Sequence, residues 1–141
     1  MVYRDSLHIE APVAKVFSFF RDPGNFAQAA PEQIEFTDVV LTDEGVGTRY
    51  SWSTTIAGIP FRGTNTYTDF APDRLITDRS SSALEGTWTY TFEPEGSGTR
   101  LSVENRARWI WNVPPLRQLL DRAAAKTHRR RFEQGKEQLE Q

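Results

Sequence analysis

The sequence predicts an α+β domain: a curved antiparallel sheet of about seven strands wrapped around a long C-terminal helix, with two short helices after the first strand. Three observations predict it. Across residues 33–111 the hydrophobic period is two, interrupted by short Gly, Pro and Ser turns. The period is helical just after the first strand and again after Pro114-Pro115. The last segment also carries an apolar stripe, which gives the inner face of a bent sheet something to close on.

Each element follows from its residues. In VYRDSLHIE, Tyr3, Leu7 and Ile9 share one side and Arg4, Ser6, His8 and Glu10 the other, the mark of a half-buried strand. Ala11-Pro12 breaks it, and proline suits a first helical turn. Val13, Val16, Phe17 and Phe20 then repeat at the spacing of one helical face. Asp22-Pro23-Gly24 ends that helix, and NFAQAAP reads as the second short one. Six alternating segments follow, QIEFTDVVLTD, GTRYSWSTTIAG, PFRGTNTYTDFAP, DRLITDRSS, LEGTWTYTFEP and TRLSVENRARWIW. Their short connections predict an antiparallel meander. Beyond the proline pair, Leu116, Leu120, Ala124, His128, Phe132, Gly135 and Leu139 are spaced by three or four and share a helical face.

Composition narrows the function. At 141 residues and 16.1 kDa one domain, 1–141, is expected. A formal net charge of -2 with interspersed signs offers no basic face for a phosphate backbone, so nucleic acid is not an expected partner. The absence of cysteine excludes disulfides, thiol nucleophiles and thiolate-bound metals. No apolar run approaches the roughly 20 residues of a membrane span. The start, MVYRDSLH, has no apolar signal segment, so a cytoplasmic location is expected. No HExxH, HxxxH, GxSxG, GxGxxG or phosphate-binding loop occurs, and no metal or cofactor is expected.

Nine Phe, four Tyr and four Trp are generous for this length. Strand parity sorts them. Trp88, Tyr90 and Phe92 point together, as do Tyr50 and Trp52, and as do Val103, Asn105, Ala107, Trp109 and Trp111. In PFRGTNTYTDF one set holds Phe61, Asn65, Tyr67 and Asp69, although Phe70 takes the other parity. The strand over 73–80 alternates ambiguously, so Arg79 fits either face. The concave wall thus reads as Tyr50, Trp52, Tyr67, Trp88, Tyr90, Phe92, Asn105 and Trp109, facing Ala123, Ala124 and His128 of the long helix. Such a wall is either a packed core or the lining of a small-molecule cavity. His128 is a general acid or base, or else a partly wet residue beside Arg129, Arg130 and Arg131. Asn105 and the tyrosines are donors to a ligand carbonyl, or simply wall. Asp69 is a base only if its inward register holds.

Several local motifs carry a resemblance. HIEAPVAKVFSFFRDPGNF at 8–26, EGVGT at 44–48, FAPDRLI at 70–76 and YTFEPEGSGTRL at 90–101 occur in that order. Together they resemble the START-like, or SRPBCC, superfamily with its helix-grip fold, nearest to the polyketide cyclase/dehydrase and lipid-transport group. The chain departs from that pattern after residue 26, where AQAAPEQ stands in place of a frequent tryptophan. The resemblance implies a cavity between sheet and C-terminal helix that takes a small hydrophobic, aromatic or polyketide-like ligand, in a monomer or homodimer. It leaves two functions open. One is cyclisation or dehydration of that ligand, with Tyr67, Asp69 and His128 as candidate catalytic residues. The other is a non-catalytic carrier or sensor of a lipid, quinone or aromatic metabolite. A surface-acting chaperone activator is a third class that no residue marks.

Overall fold

A computed structural model describes residues 2–25, 35–56, 58–81, 84–109, 122, 126, 129–130 and 132–140. Strand β1 (Val2–Ile9) leads into helix α1 (Val13–Phe20). Strands β2 (Glu35–Val40), β3 (Arg49–Ile56), β4 (Ile59–Ala71), β5 (Leu75–Ser81), β6 (Leu84–Glu95) and β7 (Gly98–Trp109) follow. A C-terminal helix, α2, is described over 132–139.

The seven strands form one antiparallel sheet in the order β1-β7-β6-β5-β4-β3-β2. Strands β2 to β7 are therefore a meander, and β1 returns to pair with β7 along its full length, Val2 opposite Arg106 through Ile9 opposite Thr99. This is the expected fold class, and the strand count is as expected. The short helix expected over NFAQAAP lies mostly outside the described residues; 23–25 are helical.

Helix α1 begins where Pro12 stands in an extended conformation (φ -59°, ψ 149°), and its carbonyl accepts from Lys15 and Val16. Burial of Val16, Phe17 and Phe20 docks the helix on the sheet. Each buried aromatic contributes about 1.5–3 kcal/mol. Phe17 meets Phe92 edge-on with centroids 5.3 Å apart and Phe70 at 5.0 Å, while Phe20 packs on Tyr90 at 5.7 Å. Asn25 Nδ2 donates to the Phe19 carbonyl at 2.9 Å, satisfying one of the helix's last acceptors. The Phe20 carbonyl takes the Tyr67 hydroxyl at 2.8 Å, so β4 fastens the same end.

Helix α2 closes this core. Phe132 lies 6.2 Å from both Phe20 and Tyr90, and Leu139 is buried. Lys15 Nζ donates to the Leu139 carbonyl at 3.1 Å, and the Arg129 guanidinium pairs with the Asp5 carboxylate on β1. Burial opposes ionisation of Asp5, but donors from Arg129, Tyr3 and the Ser6 amide outweigh it and hold its carboxyl below the usual carboxylate range.

Candidate functional site

Cross-strand pairing arranges the inward side chains in rungs. The rung nearest α1 is apolar: Phe70, Ile76, Tyr90 and Val103 stand on adjacent strands, and Phe92 and Leu101 follow beside them. The next rung carries Asp78, Trp88 and Asn105, and the one beyond it Tyr50, Asn65, Ser80, Gly86 and Ala107. Trp52 and Gly63 pair one rung further along. The concave face thus grades from a core filled by α1 to an aromatic face studded with polar groups.

Those polar groups form a chain. The Trp52 indole N–H donates to Asn65 Oδ1 at 2.8 Å, and Asn65 Nδ2 donates to Asp78 Oδ2 at 3.2 Å. The Tyr50 hydroxyl donates to the same carboxyl oxygen. An indole nitrogen only donates, so it fixes the Asn65 amide with its oxygen towards Trp52. Burial, and then the neighbouring Asp78 charge, push the Tyr50 phenol well above its ordinary value. Tyr50 is accordingly a neutral donor, not a phenolate base. The Trp52 indole lies over Gly63, where a Cβ would overlap the ring. Phe36 of β2 backs Tyr50 with centroids 4.9 Å apart.

On the neighbouring strands Asn105 Nδ2 donates to the Thr87 carbonyl at 3.1 Å. Asn105 Oδ1 and Ser80 Oγ are buried without a hydrogen-bond partner among the described residues. Buried polar atoms in that condition are rare in folded proteins.

The expected residues divide accordingly. Tyr50, Trp52, Trp88 and Asn105 stand together, inward and buried, at the polar end of the face. Tyr90 is inward too, but it packs against Phe20 and Phe132 in the filled core. Tyr67 is inward, and its hydroxyl proton is committed to the Phe20 carbonyl. Asp69 is corrected: a bulge between Tyr67 and Asp69 shifts the register, turns Phe70 towards the core and leaves Asp69 exposed. Trp109 is placed on β7 opposite Leu84, but its side chain lies outside the described residues. Trp111, Ala123, Ala124 and His128 lie outside them altogether. Arg79 is exposed and faces outwards.

The alternation over 73–80 concealed Asp78 and Ser80. Their signal was Ile76, which is fully buried and shares their parity. Among the described residues no three His, Asp or Glu gather into a metal site, and no helix is long and apolar enough to cross a membrane.

Comparison with known proteins adds the family. Residues 2–141 match the model for polyketide cyclase/dehydrase and lipid transport. Among solved structures, TTHA0849 of Thermus thermophilus superposes with a TM-score of 0.84 at 20% identity, covering 99% of this chain and 97% of that one. The Zhui aromatase/cyclase from Streptomyces gives 0.78 at 13% identity, with 99% and 93% covered. Ara h 8.0201 gives 0.73 at 13% identity, with 99% and 97% covered. At these identities the structural likeness speaks for the fold alone. No match was found among curated protein sequences.

Proposed function

Because the chain belongs to the polyketide cyclase/dehydrase and lipid-transport family, we propose that its concave face binds a small hydrophobic, aromatic or polyketide-like molecule between the sheet and the C-terminal helix. One observation carries this reading. Tyr50, Trp52 and Trp88 are buried on the rungs beyond the phenylalanines of α1, and polar atoms are set among them. A curved aromatic wall with a few fixed polar groups is the usual build of a small-molecule site. A packed core alone gives no reason to keep a carboxyl, two amides and a hydroxyl on that wall, because each costs desolvation.

A second reading, cyclisation or dehydration of the ligand, rests on Asp78. Its carboxyl is buried on the wall and held by Tyr50 and Asn65, the kind of group that takes or returns a proton beside a bound carbonyl compound. Orientation of a flexible poly-β-ketone by the wall would supply most of the rate. Exposed Asp69 has no part in this reading.

Titration with the apolar fluorophore 1-anilinonaphthalene-8-sulfonate tests the binding function. One saturable site per chain, weakened in Trp88→Ala, is expected; no saturable binding contradicts it. Product analysis with poly-β-ketone substrates tests the chemistry. Turnover unchanged in Asp78→Asn removes the acid–base role of that carboxyl, and no turnover by the unmodified chain leaves a carrier or sensor.

A further inference from the structure

We propose a second binding site on the opposite face of the sheet: a shallow convex-face depression across β5, β6 and β7 that takes a phosphate monoester. Arg79, Thr87 and Arg106 are cross-strand partners in one outward rung, and Ser81, Glu85 and Arg108 form the next. Together they bound an open depression of about 510 Å³, a size that suits a small ligand. Each alternates along its strand with a buried inward residue such as Ser80, Trp88 or Asn105, so the sheet itself separates this site from the aromatic wall.

Charge carries the assignment. Three guanidiniums and one carboxylate line the depression. Their balance is two positive charges, close to what a phosphate monoester neutralises at pH 7. Arg108 donates to Glu85 through Nε at 3.2 Å and Nη2 at 2.9 Å. Arg106 gives only its Nε, at 2.5 Å, to Glu104, a carboxylate it shares with Arg4. The Arg79 side chain enters no ion pair among the described residues. Like charges gathered without a matching counter-charge repel one another, and a bound dianion relieves that repulsion.

The spacing suits a tetrahedral oxyanion. Arg79 and Arg106 rise on either side of Thr87, with one strand between them and their Cα atoms about 10 Å apart. Both side chains are long enough to close over the Thr87 hydroxyl. A guanidinium fork pairs with two oxygens of one phosphate, and the hydroxyl is a further donor. A carboxylate ligand brings one charge and two oxygens, and so leaves part of this set unmatched. The chain as a whole carries a net charge of -2, so a longer phosphate polymer is repelled beyond the depression. The phosphate belongs to a soluble monoester or to a monoester lipid headgroup, and the chemistry at the site is the same for both.

Nitrogen–proton correlation NMR of the full chain, titrated with glycerol 3-phosphate at constant ionic strength, tests the site. Saturable shifts of the Arg79, Thr87 and Arg106 amides are expected, with a dissociation constant of about 1 mM. Acetate should bind about tenfold more weakly. Arg79→Gln and Arg106→Gln should each weaken glycerol 3-phosphate about fivefold. Both positions are exposed, so an unchanged urea midpoint is expected to show that the variants fold. Sedimentation with phosphatidylcholine vesicles containing either phosphatidic acid or phosphatidylglycerol distinguishes the two sources. Given the amide shifts, recovery with phosphatidic acid alone supports a lipid headgroup, and recovery with neither supports a soluble monoester. No saturable shift at the rung, equal affinity for acetate, equal recovery with both vesicles, or affinity retained in both variants overturns the site.

Discussion

The Tyr50 hydroxyl reaches across β4 to donate to the Asp78 carboxyl, and the two residues are only 5% and 1% exposed. This contact joins strands that do not pair with each other, so it ties the polar end of the concave face together independently of the backbone ladder. A buried hydrogen bond to a carboxylate contributes about 1.5–3 kcal/mol. Tyr50→Phe is expected to lower unfolding stability by that amount in urea. A double-mutant cycle with Asp78→Asn should return a coupling of about 1 kcal/mol or more. A coupling near zero would show that the contact contributes nothing.

The same pair predicts an alkaline limit. The phenol of folded Tyr50 ionises well above the ordinary value of 10.0, chiefly because it is buried and then because Asp78 is charged. A proton held more tightly in the folded state stabilises it fully below the unfolded pKa, and that stability drains as pH rises from about 10 towards the folded value. Alkaline unfolding should therefore shift to higher pH in Tyr50→Phe, when each curve is referred to its own stability at pH 8. An unchanged shape contradicts the burial of the phenol.

On the convex face, His8 sits between two carboxylates, with Nε2 2.5 Å from Glu10 and Nδ1 2.7 Å from Glu95. The Glu10 contact first, and the Glu95 contact second, raise its pKa above 6.5. The favourable charge pairing is complete below 6.5 and fades as pH climbs through the raised folded value. Proton NMR of the imidazole should titrate above 6.5, and Glu10→Gln should bring the midpoint down. A midpoint at or below 6.5 in the unmodified chain contradicts the pairing.

Gly63 has to remain without a side chain, because a Cβ there overlaps the Trp52 indole. Gly63→Ala should cost about 1–3 kcal/mol through overpacking. It should also displace the indole from Asn65, which a red shift in tryptophan emission would report. A variant as stable as the parent, with unchanged emission, means that the ring does not lie there.

Asp69→Asn should leave stability within about 0.5 kcal/mol and ligand affinity unchanged, as exposed substitutions do. The bulge that follows Tyr67 puts this carboxylate in solvent. A large loss of affinity would return Asp69 to the site.

Much of this was legible in the sequence, and the exceptions have physical causes. Trp88, Tyr90 and Phe92 alternate with threonines, so β6 announced its inward face without ambiguity. In β5 the adjacent Leu75 and Ile76 are both apolar, and parity alone does not say which is buried. Only Ile76 is fully buried, and Asp78 and Ser80 follow it inwards. At the end of β4 the mismatch between Asp69 and Phe70 was the trace of a bulge, which a strict period of two cannot represent. The task of Tyr67 depends on a carbonyl 47 residues away, a contact no local pattern records.

A nitrogen–proton correlation NMR titration of the full chain with 2-naphthol tests directly whether a hydrophobic ligand lies on the concave face. Saturable shifts are expected in the Trp52 and Trp88 indole N–H signals and in the amides of Asn65, Ser80 and Asn105, while amides such as Thr66 and Arg100, on residues that face the convex side, stay in place. Shifts confined to the convex face, or none at ligand saturation, would contradict it.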